Sequence, residues 1–454
     1  MRQNFSIVTL GLALAACTIY LGYFAQRADF QAFITVYGVF FGIYCWAVFF
    51  PPKAWTVLQR KYLIFIGILL RVGLMFSIPN LSDDYARFLW DGHLTMAGLH
   101  PFLYTPDYLF EHQLIPPNMP EVLYQSMNSP EYYTVYPPVC QFVFAAAAWV
   151  SPGSVLGGVV VLKLFLLLCE IGTLFYLGKL QDDSQAKNEK NAPFSAQKAL
   201  IYALNPLAIL EISGNAHFEG AMIFFWVASL VALQNGQKVR GAFFWACAIA
   251  SKLLPLLAIP IVWQRLGWKK GSVFIGALGL FLLILFTPLW TALPNILESL
   301  DLYFRQFQFN ASFYYLVRAI GFAHKGWDIG EFSGPILGSI TVLGVLVISG
   351  LTAQDGRQNR PITALSVALL WALFLHLSLS ATVQPWYIVV PFALSLATKW
   401  RFPILWTGLA ALSYSHYTGG GFQENYGVIA LEYLLLWGWI AWEIRRFFVR
   451  KSPQ

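Results

Sequence analysis

Apolar residues in this chain come in unbroken runs. Many are close to the 20 or so residues a helix needs to cross about 30 Å of hydrocarbon. Candidate spans read from these runs are 5–24, 31–50, 62–79, 154–178, 198–213, 218–234, 271–290, 333–353, 362–380, 386–398, 402–415 and 427–444. Hydrophobic residues are 58% of the chain and charged residues 11%, against about 25% charged in a soluble domain. So few charges cannot clothe a water-facing surface, which excludes a soluble globular protein. With 17% of residues aromatic, the chain is too rich in packing groups to be disordered. An outer-membrane barrel would alternate apolar and polar residues, whereas these runs are continuous. The chain reads as an all-α polytopic membrane protein of about 12–14 transmembrane helices.

Charge placement gives a topology. The run 241–264 is broken by Ser251-Lys252-Leu253-Leu254-Pro255 into halves of about 11 residues, too short to cross. It predicts a hairpin with both ends on one side. With the N-terminus inside, the inner segments hold Arg2, Lys53, Arg60, Lys61, Lys179, Lys187, Lys190, Lys198, Lys238 and Arg240. They also hold Arg265, Lys269, Lys270, Arg357, Arg360, Lys399, Arg401, Arg445, Arg446, Arg450 and Lys451, making 21 of 29 basic residues. This is a positive-inside pattern. It closes only if residues 137–151 lie along the outer face as a juxtamembrane helix, because a further crossing would send every later basic loop outside. Dispersed bases also speak against reading the net charge of +7 as a nucleic-acid surface. Cys17, Cys45, Cys140, Cys169 and Cys247 are odd in number and lack paired spacing, which predicts free thiols. Leu14-Ala15-Ala16-Cys17 has the look of a lipoprotein cleavage box, but the apolar run continues past it, predicting an uncleaved first helix.

Residues 80–136 form the longest segment outside the spans. They carry seven acids (Asp83, Asp84, Asp91, Asp107, Glu111, Glu121, Glu131) and one base, Arg87. Its many aromatics and prolines argue for an ordered loop, and long ordered loops tend to carry function. Asp83 and Asp84 fall at the membrane–water boundary, where a carboxylate can meet a lipid-borne substrate on one side and a water-soluble one on the other. A helix N-terminus favoured by its dipole is the competing reading.

The segment SDDYARFLWDG (82–92), then AGLHPFLY (97–104) and YPPVCQ (136–141), resembles the first outer loop of bacterial GT-C glycosyltransferases. The polyprenol-phosphate-mannose-dependent mannosyltransferases are the group it resembles in particular. NPLAILEISGNAHFEG (205–220), KLLP (252–255), FQFNASFYYLVR (307–318) and SATVQPWY (380–387) extend the resemblance over roughly residues 62–400. It implies a GT-C fold with a long first catalytic outer loop bearing juxtamembrane helices, in three parts. These are two N-terminal transmembrane helices (1–61), a catalytic module (62–330, outer loop 80–153) and C-terminal transmembrane helices (331–454). It further implies a bacterial inner-membrane enzyme acting on the periplasmic side. That enzyme moves a sugar, mannose by the resemblance, from a polyprenyl-phosphate donor to a glycan, glycolipid or protein acceptor. The family's general base maps onto Asp84, with Asp83 as the alternative. The second motif departs from the family's His-x-Asp, reading His217-Phe218-Glu219.

No nucleotide-cradling GxxxxGK[ST] or GxGxxG occurs, which is consistent with a lipid-phosphate donor. Such a reaction displaces the lipid phosphate at the anomeric carbon with inversion. A base takes the acceptor proton, and cations stabilise the charge growing on the leaving phosphate. Eight bases fall outside the inner segments: Arg27, Arg71, Arg87, Lys163, Lys252, Arg305, Arg318 and Lys325. A mid-span cation needs a partner, which predicts an Arg71–Glu170 pair with Lys163 competing for the same acid. Lys252, Arg305 and Arg318 are candidates for phosphate; Arg87 for phosphate or for positioning Asp84; Arg27 and Lys325 read as solvated. Further substrate-contact candidates are Asp91, His217, Glu219, Asn310, Gln384 and Tyr387. No ligand spacing signals a divalent metal, and none is excluded. A transporter or flippase, or a polymerase of lipid-linked glycan, is the alternative. No internal repeat favours the former, and an early rather than late catalytic loop disfavours the latter.

Overall fold

A computed structural model describes residues 2–51, 54–180, 195–305, 307–354 and 362–449. Of the basic pattern, Lys53, Lys187, Lys190, Arg357, Arg360, Arg450 and Lys451 lie outside these residues, as do the side chains of Arg2 and Arg305. The described residues are almost all helical. Their one sheet is the hairpin Tyr417–Thr418 with Gly421–Phe422, and an isolated bridge joins Phe309 to Thr382.

Among the described residues, seven stretches are long and apolar enough to cross a membrane: Ile7–Phe24, Phe30–Phe49, Val155–Lys179, Leu254–Ser299, Phe332–Thr352, Ile362–Leu379 and Tyr426–Phe447. Pro206–Gly214 and Glu219–Gln234 make an eighth if a pair bent by 116° counts as one. This is the polytopic all-α membrane protein expected, with fewer full-length spans than the 12–14 read from hydropathy. The difference has local causes. Val57–Gly73 is 17 residues long and carries Arg60, Lys61 and Arg71. Residues 198–213 are divided at Asn205-Pro206, where Asn205 caps a new helix by accepting from Ala208 N at 3.1 Å. Residues 386–398 and 402–415 form the short helices Val389–Ser395 and Phe402–Leu409, extended only by 3₁₀ turns. The expected break near Lys252 is present. Lys238–Ser251 ends there, a 3₁₀ turn covers Leu254–Ala258, and the helical stretch Ile259–Phe286, kinked where Gly267 leaves helical backbone at φ 72°, packs against the first helix.

Buried charge is paired inside the bundle. Arg71 Nε donates to Glu170 Oε2 at 2.8 Å with both side chains fully buried. Tyr202 Oη donates to the other Glu170 oxygen at 2.6 Å. The expected intramembrane pair is therefore present, as a low-dielectric interior requires. Lys163 does not compete for Glu170. Its ammonium donates to Leu74 O, Ser77 O and Ser77 Oγ at 2.6–2.9 Å, capping the end of Val57–Gly73.

Pro138–Val150 is 13 residues long, too short to cross. It buries Cys140, Val143, Phe144 and Ala147 and exposes Phe142 and Trp149. Its buried face rests on Asp84–Met96, where Phe88 and Phe144 stack with centroids 4.6 Å apart. At Gly92 the backbones approach so closely that a Cβ would stand 2.1 Å from Phe144 O.

Candidate active site

Helix ends build the site. Asp84 opens the helix Asp84–Met96, with Asp83 in the preceding cap position, where the helix dipole favours negative charge. The sharp bend between Pro206–Gly214 and Glu219–Gln234 brings Glu211, His217 and Glu219 beside it. The backbone there is unusual twice over. Ile209–Gly214 is wound as a π-helix, and Ala216 holds φ 60°, conformations found disproportionately at functional sites. The turn after Ser251 supplies Lys252, and the segment around Pro385 supplies Gln384, Trp386 and Tyr387.

These elements enclose a cavity of about 620 Å³. One part of its lining is ionic: Arg27, Asp83, Asp84, Glu219 and Lys252. Another is aliphatic: Leu253, Leu254, Leu256, Leu257, Leu377 and Val390. Tyr136 meets two of the charged residues. Its hydroxyl donates to Asp84 Oδ2 at 3.2 Å, and Lys252 Nζ lies 5.1 Å from its ring centroid. Burial, then the Asp84 charge, push the Tyr136 phenol well above its usual value, so it stays a donor. Lys252 pairs with Glu219 at 3.1 Å. Burial alone would lower its ammonium, but Glu219 and the nearby Asp84 more than offset that and leave it raised. Lys252 is thus held as a cation in a cavity that the next residues along the chain, Leu253 and Leu254, also line.

Behind Asp84 lies a second layer. His217 is nearly fully buried, its Nε2 3.2 Å from Ser82 Oγ and 3.8 Å from Asp84 Oδ2. Its Nδ1 lies 3.2 Å from Glu211 Oε2. Glu211 is fully buried and accepts from Tyr414 Oη at 2.8 Å and Asn215 Nδ2 at 2.9 Å. Trp386 stacks on the imidazole with centroids 3.7 Å apart.

Of the residues singled out in the sequence, Asp83, Asp84, Arg87, Glu219, Lys252, Gln384 and Tyr387 line the cavity, and His217 sits one layer behind. Gln384 Oε1 and Glu219 Oε2 are buried without a hydrogen-bond partner among the described residues. Arg87 makes no contact with Asp84. It pairs with Asp91 at 3.0 Å and donates to Tyr132 O at 2.9 Å, tying the outer loop to the helix. Asp91 is fully buried, with its second oxygen taken by Gln141 Nε2 at 2.9 Å, and does not reach the cavity. Asn310 is likewise closed off, donating to Glu432 Oε2 at 3.1 Å. Arg318 is held by Asp328 at the surface. Arg305 ends the helix Leu293–Arg305, and its side chain is outside the described residues.

One expectation is overturned. Arg27, read as solvated, pairs with Asp83 at 2.9 Å, covers the Tyr417 ring at 4.5 Å and lines the cavity. Sequence reasoning gave no role to Glu211, which closes the motif NPLAILE (205–211), or to Tyr136 and His376, which line the cavity. Glu211 had a signal, being an acid in the middle of an apolar segment. Among the described residues, no group of three or more His, Cys, Asp or Glu side chains is placed to hold a metal ion.

The model of a family described as "Alpha-(1->6)-mannopyranosyltransferase, N-terminal domain" matches residues 12–266. No curated protein matches the chain.

Proposed function

This chain belongs to the alpha-(1->6)-mannopyranosyltransferase family, and from that premise we propose how a membrane-embedded mannosyltransferase of this build works. The donor is mannose on a polyprenyl phosphate, and Asp84 is the general base. The observation that carries this reading is the divided cavity. Asp84 and Lys252 both engage Tyr136, and the aliphatic wall Leu253–Leu257 begins next to Lys252. A prenyl-phosphate sugar has the same division: an apolar tail, an anion at its root and a polyhydroxylated head.

Asp84 takes the proton from the acceptor hydroxyl as its oxygen attacks the anomeric carbon, a step worth about 10²–10⁴-fold. The bond to the lipid phosphate breaks on the opposite face, so a β-linked donor yields an α-mannoside. Negative charge grows on the departing phosphate, and Lys252 is the cation placed to meet it, since fixed charge contributes most where charge develops. Asp83 is tied to Arg27, whereas the Asp84 carboxylate accepts from the neutral Tyr136 hydroxyl and has His217 3.8 Å away, which supports Asp84 as the base. The family description supports an acceptor attacking through a primary 6-hydroxyl. The charge pattern supports a site on the extracytoplasmic side, with the helix Pro138–Val150 lying along the outer face.

The test is reconstitution. Purified protein is given a panel of polyprenyl-phosphate sugars and a mannoside acceptor, and consumption of each donor is followed. The mannose donor should be turned over and Asp84→Asn should bind it without turnover. Full activity of Asp84→Asn would sink the base assignment, and consumption of another sugar alone would sink the donor.

A further inference from the structure

The layer behind the base holds a chemical arrangement that substrate binding does not require. We infer that His217 takes up the proton collected by Asp84 and holds it until the product departs, and that Glu211 is the positioning residue that fixes His217 for this transfer. The inference rests on Asp84 being the base, as proposed above.

Three independent features carry it. The first is alignment. His217 Nε2 faces Asp84 Oδ2 at 3.8 Å, with Ser82 Oγ at 3.2 Å, and Nδ1 faces Glu211 Oε2 at 3.2 Å. The Glu211 carboxylate stands 3.2 Å from Nδ1 outside hydrogen-bond geometry, and its charge favours the tautomer that carries the proton there. This leaves the Nε2 lone pair to accept from Ser82 Oγ at 3.2 Å, with Asp84 Oδ2 beside it at 3.8 Å. Distances of this kind commonly tighten once substrate is bound. The second is charge. Glu211 is fully buried and its hydrogen-bond donors, Tyr414 and Asn215, are neutral. Among the described residues, its ion-pair partner is His217. Burying a carboxylate so deeply is costly without a compensating charge, and an imidazolium at position 217 supplies one whenever Asp84 gives up its proton. The third is isolation. Trp386 covers the ring at 3.7 Å and His217 is 1% exposed, so it cannot touch a substrate in the cavity and acts only through its neighbours. The π-helical turn bearing Glu211 and the left-handed Ala216 before His217 hold both side chains in place.

The step balances. The acceptor O–H bond breaks as the Asp84 Oδ2–H bond forms. That bond then breaks as His217 Nε2–H forms, giving an imidazolium beside the Glu211 carboxylate. Because His217 is sealed from solvent, the imidazolium returns its Nε2 proton through Asp84 to water in the cavity after the product leaves, and the base is ready again. Other titratable groups around the ring are placed differently. Tyr136 holds Asp84 from the first outer loop, and Arg27 is committed to Asp83 from the N-terminal helices. Lys252 is committed to Glu219 across the cavity, while Tyr414 backs Glu211.

The experiment measures kcat and KM of the full-length reconstituted protein between pH 5 and 9 for wild type, Glu211→Gln, His217→Gly and Asp84→Asn. It also measures rescue of each variant by added imidazole. Glu211→Gln, which keeps the side-chain shape, should lower kcat about 10–100-fold, the usual cost of losing an outer partner of an active group. Its KM should stay within about twofold and its pH profile should shift. Imidazole should restore His217→Gly, more so as the pH rises and the free base predominates, and should not restore Asp84→Asn. If Glu211→Gln loses stability but keeps the wild-type pH profile, or His217→Gly folds and is not rescued, the relay is overturned while Asp84 keeps its role. Should Asp84→Asn itself turn over, the base assignment falls and the relay with it.

Discussion

Two buried knots of histidine, carboxylate and tyrosine lie in this protein, and they differ in what they face. In the first, His217 stands between Glu211 and Asp84, and Asp84 opens onto the cavity. In the second, Asn310 gathers three strands of chain. Its amide N donates to Glu424, its side chain to Glu432 and its carbonyl accepts from Tyr433, while His416 accepts from Asn425 N. Trp406 donates to the second oxygen of Glu432, and Tyr315 donates to the Glu424 oxygen that Asn310 N also uses, which leaves Glu424 Oε2 buried 3.5 Å from His416 Nε2 without a hydrogen bond among the described residues. None of Asn310, His416, Glu424 or Glu432 lines the cavity. The same side chains thus serve chemistry where one oxygen is left facing space, and architecture where they are spent on neighbouring segments. The burial of Asp91 and Asn310 shows how readily a motif residue falls in the second class.

Mutations can break or sharpen this contrast. The largest effect is expected at the open knot. Asp84→Asn should lower turnover about 10²–10⁴-fold with the detergent-solubilised melting temperature unchanged. Lys252→Met should follow, at about 10²–10³-fold in kcat, the cost of removing one donor aimed at developing charge; steady-state kinetics with a defined donor measures it. The sealed knot should respond in the opposite currency. Glu432→Ala strands the Asn310 amide and the Trp406 indole, so thermal unfolding should report a loss of about 1–3 kcal/mol while the folded fraction keeps wild-type turnover. His416 adds a pH signature. Burial pushes its imidazole down to about 4, so the unfolded chain takes up a proton before the folded one. Stability should therefore fall as pH drops from about 6.5 toward 4, and less so in His416→Gln. The smallest effect is expected at Arg318, whose pair with Asp328 is solvent-exposed. Arg318→Ala should cost at most about 1 kcal/mol and nothing in turnover.

Much of this was legible in the sequence wherever scarcity made residues conspicuous. A mid-span arginine has few possible partners, so Arg71 and Glu170 could be matched from hydropathy alone. Asp83 and Asp84 stood out as acids at a span boundary inside a motif. What failed to show were contacts closed by distant segments. Arg27 meets Asp83 across 56 residues and Tyr414 meets Glu211 across 203. Neither leaves a trace in local periodicity, so Arg27 read as solvated and Glu211 was given no role. Full-length spans are fewer than the apolar runs for a related reason. Hydropathy records that a segment is apolar but not that Pro206, Pro385 or Pro403 starts a new short helix within it.

The close approach at Gly92 has a mechanical consequence. With Phe144 O where a methyl group would sit, the helix of Asp84 and the helix carrying Phe142 and Trp149 have no side chain between them to yield. They move as one lever, two turns long from the bare contact to the carboxylate. A single added carbon at position 92 would therefore act as a shim, tilting Asp84 away from its partners without touching the cavity at all.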